Sequence, residues 1–536
     1  MSPTKSSLDI DSSTNFGCHL TLSALLMLSM TSLSYSPVAL STVVKQKDAS
    51  VFAAYTLVTA KEEVPSGLLA RAILPMGVKC PLLQEGNLIN NVLNWHFVQM
   101  TQRLPPENTD SAFQSVMVCE HGITKGTLKA KIGKQDIPAR LPTKINKIAV
   151  FGDTGCRMRK GGAYQPCDTP QGWPLSKIAE GIANREPQLI IFTGDFYYRE
   201  YACDPKAETS RNCASSPGPL IPKYDVTNDK LVQYPFKDSD YGWLADVFLP
   251  MRAVFSAAPI VVVRGNHELC SRGGNGFFLF FDPRKNTSGT CAPNLAGRVT
   301  DALTKTWKTD ITIRPGRVLS LAVVDSAIGQ DYDPYDFKDP TIDYAALYKQ
   351  GFIDADTLTS NSSNESWLLV HKPIFGVSKE PGWNTDFSPP LPGEMNWSSV
   401  PLQVASYGLL NHYNLILSSH VHAIEAIQIP GVPPQLVVGN GGTELDAPLP
   451  YDLPLKAPLE SVNYAGLPAM PYQQATSKWA DVRFGYSILY PGKATNNWKW
   501  EHYSPDFTAG KLPGAEVLYA TCDQTFKQLI CVSQAQ

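Results

Sequence analysis

Three short stretches of this 536-residue chain decide its fold: KIAVFGDTG at residues 147–155, LIIFTGDFYY at 189–198 and PIVVVRGNHE at 259–268. Each is an apolar run of strand length that ends in a glycine followed by aspartate or asparagine. Continuous apolar runs of this kind are typical of strands buried on both faces in a layered α/β domain. We therefore predict a sheet whose strand ends bring distant polar residues into one crevice.

Histidines follow two of the four apolar runs that come later in the chain. One run leads into His371, and another leads into SHVH at 419–422. Because parallel strands of one sheet end at the same edge, we expect these histidines to join the polar residues of the first three stretches. The four later runs lie at residues 318–324, 367–370, 415–417 and 435–438.

The chain is expected to divide into four segments. Residues 1–41 are predicted to be a signal peptide or an N-terminal anchor. Residues 45–143 carry short apolar stretches punctuated by proline and glycine, which predicts a smaller β-rich N-terminal domain. Residues 145–510 form the α/β domain, and residues 511–536 form a C-terminal tail tethered by a disulfide.

The composition excludes several classes of protein. With 43% hydrophobic and 18% charged residues, the chain is neither disordered nor a coiled coil. Its 46 basic and 49 acidic residues give a net charge of −3. A balance this close to neutral argues against a broad basic surface for nucleic acid.

Ten of the eleven cysteines fall into five pairs of near neighbours. Sequence alone does not determine connectivity, but five local disulfides are the simplest arrangement and indicate an oxidising compartment. The absence of any CxxC pair argues against a zinc ribbon or a thioredoxin-like site. The predicted pairs are Cys80 with Cys119, Cys156 with Cys167, Cys203 with Cys213, Cys270 with Cys291, and Cys522 with Cys531.

The N-terminal stretch has the features of a secretory signal. No charged residue occurs between Asp11 and Lys45, and residues 20–28 are mainly apolar, which suits a signal-peptide core. We expect cleavage and a secreted, periplasmic or lumenal protein. An uncleaved anchor is the alternative, but serines and Pro37 weaken it as a spanning helix. Four sequons are potential glycosylation sites, at Asn286, Asn361, Asn364 and Asn396.

The polar residues at the predicted strand ends are typical metal ligands. Carboxylates and phenolates are hard oxygen ligands, and imidazole suits iron, zinc and manganese. Seven such residues are too many for one ion and fit two, with one carboxylate bridging. Two neighbouring ions can clamp both ends of an in-line phosphoryl displacement. The seven residues are Asp153, Asp195, Tyr198, Asn266, His371, His420 and His422.

In this order, the motifs GDTG, GDFYY, GNHE, VH and SHVH resemble those of the calcineurin-like metallophosphoesterase superfamily, and more narrowly its purple acid phosphatase-like branch. Gly155 stands where most of the superfamily has a metal-binding histidine, and Tyr198 would supply the ligand that replaces it. Ser419 departs from the glycine that usually opens the last motif. The resemblance covers roughly residues 145–505. It implies an α/β fold in which a two-sheet β-sandwich is flanked by helices, in the layer order αββα.

The resemblance also implies a role for each residue. Asp153, Asp195, Tyr198 and His422 would hold Fe(III), with Asp195 bridging. Asn266, His371 and His420 would complete a second site for Fe(II), Zn or Mn. His267 is not a ligand and would face the substrate phosphate, where it stabilises charge or protonates the leaving oxygen. The nucleophile would be a metal-bound hydroxide.

Other polar residues near the motifs have less specific interpretations. Arg157 and Arg264 are candidate substrate contacts because guanidinium groups bind phosphate well, the alternative being a structural salt bridge. Four histidines have no motif around them and are expected to be structural or at the surface, although His121 and His502 could line a substrate pocket. These four are His96, His121, His412 and His502.

The functional expectation is hydrolysis of phosphate monoesters, as in acid phosphatases, on small-molecule or protein substrates. A phosphodiesterase or nucleotide-cleaving enzyme is one alternative, because long insertions could shape a larger pocket. A secreted binding protein on the same fold is the other, suggested by the N-terminal domain, although the intact His267 speaks against it. The sequence predicts no stable membrane span and leaves the oligomeric state open.

Overall fold

The computed structural model describes residues 51–105, 111–158, 164–201, 237–285, 291, 304–328, 344–360, 364–376, 399–428, 431–446, 476–507 and 515–534. All of them belong to one compact unit, Asp48–Gln536. The predicted segment 1–41 lies outside the described residues. So do Cys203, Cys213 and the sequons at Asn286, Asn361 and Asn396.

Strands dominate the described part of the chain. Numbered along the sequence, they are β1 (Ala53–Val58), β2 (Leu68–Pro75), β3 (Leu82–Ile89), β4 (Val92–Gln99), β5 (Thr101–Arg103), β6 (Val116–Gly122), β7 (Lys129–Ile132), β8 (Gln135–Ile137), β9 (Ile148–Phe151), β10 (Leu189–Phe192), β11 (Ile260–Val262), β12 (Trp307–Arg314), β13 (Arg317–Val323), β14 (Glu365–Leu369), β15 (Leu415–Ser418), β16 (Ile424–Gln428), β17 (Gln435–Val438), β18 (Thr476–Asp481), β19 (Tyr486–Pro491), β20 (Asn497–Pro505), β21 (Glu516–Thr525) and β22 (Gln528–Ser533).

The helices are short, apart from one of 16 residues. They are α1 (Leu175–Asn184), α2 (Asp240–Trp243), α3 (Arg252–Phe255), α4 (Gly274–Phe280), α5 (Tyr344–Thr359) and α6 (Ser399–Ser406). A π-helical turn at Leu244–Phe248 continues α2, and 3₁₀ turns occupy Ser111–Phe113 and Asn266–Glu268. Within the described ranges, none of these helices combines the length and the apolar character needed to cross a bilayer.

Two large mixed sheets carry the predicted apolar runs. The first has eleven strands in the order β22-β21-β20-β19-β9-β10-β11-β1-β2-β6-β5, and the second has seven in the order β12-β13-β14-β15-β17-β16-β18. The runs that precede the polar motifs pair in parallel, β9 with β10 and β10 with β11 in the first sheet, and β14 with β15 in the second. Their C-terminal ends therefore lie at one edge of each sheet.

The two sheets pack face to face, and helices cover their outer faces. Ile148 and Val150 of β9 share a hydrophobic core with Trp367 and Leu417 of the second sheet. Phe151, on the opposite face of β9, packs instead in a cluster that includes α1 and α4. A third cluster joins the outer face of the second sheet to α5 and α6. The predicted αββα layering is confirmed, and it follows from apolar side chains alternating between two buried faces.

The β-rich character predicted for residues 45–143 is also present, but these residues are not set apart from the rest. Strands β1, β2, β6 and β5 extend the eleven-stranded sheet, and Leu57 of β1 pairs in parallel with Ile260 of β11. Strands β4, β3, β7 and β8 form a separate four-stranded sheet. The expected boundary between residues 143 and 145 is thus not a boundary between compact units. A single sequence gives no signal for pairing over such a separation.

A buried ionic cluster joins the N-terminal strands to the end of α4. The side chain of Arg71 on β2 contacts Glu120 at 3.1 Å, and its guanidinium donates to the backbone carbonyl of Phe280 at 2.7 Å. Arg103 contacts Glu120 at 3.2 Å and donates to the carbonyl of Phe278. Burial lowers the pKa of Arg103 to about 10. Carbonyls at a helix C-terminus carry partial negative charge, so both arginines complement the helix end.

Four of the five predicted disulfides lie within the described residues and are formed. They join Cys80 to Cys119, Cys156 to Cys167, Cys270 to Cys291, and Cys522 to Cys531. The last links directly opposed residues of β21 and β22. The predicted tail is therefore a hairpin that continues the first sheet, since β21 pairs with β20.

Candidate metal centre

The predicted ligands follow the C-terminal ends of five parallel strands. Asp153 follows β9, Asp195 and Tyr198 follow β10, and Asn266 follows β11. The second sheet contributes His371 after β14, and His420 and His422 after β15. Backbone hydrogen bonds join the ends of neighbouring strands: Asp153 N–H donates to the carbonyl of Gly194, and Ser419 N–H donates to that of His371, at 3.0 and 2.9 Å. All seven residues are brought into one region.

Three of these residues adopt a backbone conformation that side chains rarely take. The φ angles are 54° at Asp153, 58° at Asp195 and 73° at His420. Each such residue costs about 1–3 kcal/mol and persists only where its surroundings impose it. Closely packed glycines help to hold these residues in this conformation. A Cβ on Gly265 would lie only 2.1 Å from Oδ1 of Asp195, so only glycine permits this close approach.

Tyr198 is the centre of the first group of ligand atoms. Its hydroxyl lies 3.0 Å from Oδ1 of Asp153, 2.9 Å from Oδ2 of Asp195 and 2.9 Å from Nε2 of His422. All four side chains are buried. Ligand atoms about 2.1 Å from one ion lie roughly 3 Å apart, so these spacings suit a shared cation.

Asn266 is the centre of the second group. Its Oδ1 lies 2.9 Å from Nε2 of His371 and 2.8 Å from Nδ1 of His420. Nε2 of His371 is also 3.2 Å from Oδ2 of Asp195, the same oxygen that the Tyr198 hydroxyl contacts at 2.9 Å. The ligand atoms of Asp195, His371 and His420 all lie within 4.8 Å of one another. Asp195 therefore belongs to both groups, as a bridging carboxylate would.

Two histidine rings are oriented so that Nε2, and not Nδ1, can bind a cation. Nδ1 of His422 lies 2.8 Å from the carbonyl of Glu444, and Nδ1 of His371 lies 2.9 Å from the carbonyl of Thr193. A carbonyl only accepts, so Nδ1 carries the proton and the lone pair of Nε2 faces the carboxylates. Metal-binding histidines are commonly oriented in this way. This donor set fits two cations.

Burial and neighbouring charges shift the pKa values of the clustered side chains in different directions. Burial and the neighbouring Asp195 raise the pKa of Asp153 well above its usual value. Burial alone would raise the pKa of Asp195 as well, but its interactions with His371 and His267 outweigh burial and lower it. Burial and the positive charge of Arg157 lower the pKa of His422 and keep that ring neutral. Clustered carboxylates beside the neutral ring of His422 are electrostatically suited to bound cations.

Ser419 shows how the chain accommodates its departure from the usual glycine. Its hydroxyl donates to the carbonyl of Thr193 at 2.8 Å and lies 3.0 Å from Nδ1 of His371. A serine at this position thus helps to orient His371 and does not disturb the turn.

Two buried acids that the sequence did not single out hold the motif loops. The carboxylate of Glu268 accepts backbone N–H groups from Gly265, Asp195, Phe196 and Tyr197. Burial and the neighbouring Asp195 raise its pKa well above the usual value. Glu268 is the last residue of the GNHE motif, and this place directly after Asn266 and His267 was the sequence signal that could have revealed it.

Asp246 is the second of these acids. Its carboxylate accepts the backbone N–H of Cys156 at 3.1 Å and that of Tyr198 at 2.9 Å, and it pairs with Nε of Arg199 at 2.6 Å. It therefore holds the first two motif loops against each other. Asp246 lies far along the chain from both loops, so no local sequence pattern could reveal this contact.

His267 lies beside the ligands and is not one of the clustered donor atoms. Its Nε2 is 4.0 Å from Oδ2 of Asp195, and its ring lies against that of Tyr198 with centroids 3.8 Å apart. Its Nδ1 is 2.5 Å from the carboxylate of Glu200. The side chain is partly exposed, so it is available on the open side of the cluster.

The two candidate arginines differ in position. A guanidinium nitrogen of Arg157 lies 3.4 Å from Nδ1 of His422 in a half-buried place beside the cluster. Arg264 is buried, donates to the carbonyl of Glu268 and lies 3.4 Å from Asp325. These contacts suit a structural role for Arg264 and leave Arg157 as the better candidate for substrate.

His502 is a core residue of the first sheet. It is fully buried, its Nδ1 lies 2.8 Å from the hydroxyl of Ser487, and its ring stacks on Trp479 with centroids 4.9 Å apart. Burial lowers its pKa from 6.5 to about 3. It therefore stays neutral in the folded protein at mildly acidic pH.

This histidine should make the protein less stable as the medium is acidified. Between pH 6.5 and 3 the unfolded chain binds a proton that the folded chain does not, so stability falls with falling pH by about 1.4 kcal/mol per pH unit. Replacing His502→Phe keeps the stacking and removes the titration. We expect a shallower dependence of the melting temperature on pH between 4 and 6.5. The exposed His96→Phe is the control, and an unchanged slope in His502→Phe would refute this account.

Comparison with known protein families agrees with this geometry. A family model described as calcineurin-like phosphoesterase matches residues 146–423, just over half of the chain. The chain therefore belongs to the calcineurin-like phosphoesterase family, and it is a metal-dependent hydrolase of phosphoesters. No curated protein matches this sequence.

Solved structures with a similar course of the chain include phosphatases. Purple acid phosphatase PPD1 from yellow lupin (Lupinus luteus) seeds is 12% identical with a TM-score of 0.47, over 91% of this chain and 74% of that one. PhoD has the same identity and TM-score over 90% and 92%. A dimetal phosphatase from Danio rerio is 8% identical with a TM-score of 0.35, over 73% and 100%.

Proposed function

We propose that this chain is a binuclear phosphatase of the purple acid phosphatase type, acting on phosphate monoesters. The observation that carries the proposal is the position of the Tyr198 hydroxyl, 3.0 Å or less from one oxygen of each aspartate and from His422. A phenol in that place is an additional hard oxygen ligand, suited to Fe(III).

Gly155 supports the same proposal. A Cβ at this position would lie 2.6 Å from the backbone nitrogen of Tyr198 and 2.7 Å from Oδ2 of Asp246. The loop therefore has no space for a histidine at position 155. The close packing of Tyr198 against Gly155 would thus explain both why the first motif has no histidine ligand and why Tyr198 can supply a ligand in its place.

The proposed ligands divide into two sets that share Asp195. Asp153, Asp195, Tyr198 and His422 would hold the first ion, and Asp195, Asn266, His371 and His420 the second. Two bound ions would supply Lewis-acid charge for a phosphoryl oxygen and a water of lowered pKa. The first ion is proposed to be Fe(III), and the second Fe(II), Zn or Mn.

The side chains around the ligands would bind and orient the ester. His267 lies on the open side of the cluster, where it would donate a proton or a hydrogen bond to the leaving oxygen. Its contact with Glu200 would keep the ring in place. Arg157, next to His422, would bind a phosphate oxygen through its guanidinium.

A paired assay tests the substrate class. The purified protein, supplied with iron and zinc or manganese, is given a chromogenic phosphate monoester and the matching diester across a range of pH. We expect faster cleavage of the monoester, with an optimum below neutral pH. Preference for the diester would instead support a phosphodiesterase or nucleotide-cleaving enzyme. Cleavage of neither ester would count against the phosphatase proposal.

Tyr198→Phe tests the ligand set by absorption spectroscopy. A phenolate bound to Fe(III) gives a visible charge-transfer band, so the iron-loaded protein should be coloured and the variant should lose the band. Tyr197→Phe is a matched control, because Tyr197 is an equally buried neighbour whose hydroxyl donates to the carbonyl of Arg199. A band that survives in Tyr198→Phe, or disappears in both variants, would contradict the assignment.

We also propose an oxidising compartment and a phosphorylated small molecule or protein as substrate. Four disulfides within the described residues support the compartment. The signal-peptide features of the first 41 residues point the same way, as does the sequon at Asn364.

A further inference from the structure

A long β-hairpin in the four-stranded sheet carries an apolar tip. Strands β3 and β4 pair over eight residues each and are joined at Asn90 and Asn91, whose φ angles are 50° and 63°. Two successive residues with positive φ form the tight turn of a two-residue hairpin. The turn is flanked by Leu88, Ile89, Val92 and Leu93. Ile89 is 59% exposed and Val92 is 62% exposed.

An apolar stripe continues from the tip along the outer face of the hairpin. Directly opposed residues of antiparallel strands point to the same face, so Leu88 and Leu93 share a face with Trp95 and Phe97. Phe97 is 55% exposed. The other face of β3 is buried in the core at Leu83, but at the tip it is exposed and carries Ile89 and Val92. The stripe therefore lies on the side of the sheet that faces away from the core.

Lysines border the stripe. Lys129 and Lys131 on β7 pair with Gly86 and Gln84 of β3, which places them on the same face as Trp95. The ammonium of Lys131 lies 5.7 Å from the centre of the Trp95 ring. We call residues 88–97 together with Lys129 and Lys131 the hairpin surface.

The charge of this region differs from that of the whole chain. Residues 124–136 contain four lysines and one acid, Asp136, which pairs with Lys131 at 3.2 Å. The one acid between residues 82 and 99 is Glu85, which is buried and accepts the backbone N–H of Thr124. The hairpin surface is thus apolar and basic on a chain whose net charge is −3.

We propose that the hairpin surface docks the protein on an anionic lipid bilayer. The aliphatic tip would enter the boundary between headgroups and acyl chains, and Trp95 would lie at the interface. Lys129 and Lys131 would contact anionic headgroups, which attract basic residues placed at the membrane surface. This proposal is independent of the proposed phosphatase activity.

The charges favour a bilayer over a second copy of the chain. Two hairpin surfaces packed against each other would bring their lysines together, and the exposed acid beside them, Asp136, is already paired with Lys131 of its own copy. A bilayer supplies a fluid apolar phase for a narrow tip and anionic groups for the lysines around it. A bilayer would therefore bind both the apolar tip and the lysines of the hairpin surface.

Vesicle sedimentation of the full chain tests the proposal. The vesicles contain phosphatidylcholine alone or mixed with phosphatidylserine. The variants are Ile89→Asp with Val92→Asp at the tip, and Lys129→Glu with Lys131→Glu at the border. Ile530→Asp on β22 is the matched control, because Ile530 is 68% exposed and lies on the eleven-stranded sheet. All proteins share the same N-terminal segment, so differences among them report on the hairpin.

The expected result is binding of the unaltered protein and of Ile530→Asp to vesicles that contain phosphatidylserine. The tip variant should bind about ten-fold or more weakly, because apolar insertion is replaced by two buried charges. The lysine variant should lose the preference for phosphatidylserine, and added salt should weaken binding of the unaltered protein.

Other results would overturn the proposal. These are no binding by the unaltered protein, or equal binding by the tip variant. A dimer in light scattering that the tip variant abolishes, without vesicle binding, would make the hairpin surface a protein interface. The melting temperature and the activity on a soluble ester verify that each variant is folded.

Discussion

Replacing Asp195→Ala is expected to lower kcat/KM for a phosphate monoester by at least about 10⁴-fold and to release bound metal. The carboxylate belongs to both groups of ligand atoms, since one oxygen faces Tyr198 at 2.9 Å and His371 at 3.2 Å. Its loss removes a ligand from both proposed ions. His371→Ala should lower activity to a similar extent but release one equivalent of metal. The measurements are steady-state kinetics and metal analysis of the purified variants.

The control for this experiment is Asp523→Ala. Asp523 is an exposed aspartate on β21, and its replacement should leave both activity and metal content unchanged. Full activity in both Asp195→Ala and His371→Ala would refute the proposed metal centre. Lost activity with full metal content in Asp195→Ala would show that this residue acts on substrate and does not bridge.

Arg71→Ala is expected to destabilise the whole protein by about 3–5 kcal/mol, because it leaves Glu120 buried with part of its compensating charge removed. Arg71 and Arg103 both contact Glu120 and both donate to carbonyls at the end of α4. Arg103→Ala should have an effect of the same order. Denaturant unfolding monitored by circular dichroism measures the change in the free energy of unfolding.

The matched control is an exposed ion pair. Lys177 and Glu180 on α1 lie 2.8 Å apart with 29% and 46% of their side chains exposed, and Lys177→Ala should cost less than about 1 kcal/mol. If Arg71→Ala lowered the free energy of unfolding by as little as Lys177→Ala, the buried cluster would contribute little.

Because this cluster joins the N-terminal strands to α4, we also expect that removing residues 45–140 unfolds the remaining chain and does not leave a working hydrolase.

The buried strands and the candidate ligands could be predicted from local sequence patterns, whereas the αββα layering was implied by the resemblance of the motifs to a known superfamily. The apolar run before Asp153 is long enough for one buried strand, and its continuous character indicates burial on both faces. The polar residues that follow the runs are chemically specific, so seven candidate ligands could be named before their positions were known. Their positions after strands predicted that they would meet, but the strands lie in two sheets, and the residues gather where the ends of both sheets come together.

The remaining features depend on contacts between distant segments, which a single sequence does not encode in any local pattern. The pairing of Leu57 with Ile260 joins residues that share no motif, and it places the N-terminal strands within the main sheet. The support of Cys156 and Tyr198 by Asp246 is of the same kind. The interpretation of Arg264 as a substrate contact relied on its place beside a motif, whereas burial and Asp325 decide its environment.

The order of strands in the eleven-stranded sheet also constrains how the protein is made. Leu57 of β1 pairs with a residue synthesised about 200 positions later, a delay of roughly 10–40 s at common ribosomal speeds. Val150 of β9 pairs with Ser487 of β19, so this edge of the central sheet stays open until almost the entire chain has left the ribosome. Open apolar edges favour aggregation in incomplete chains. Production of this protein therefore depends on keeping the nascent chain unpaired until its last strands arrive.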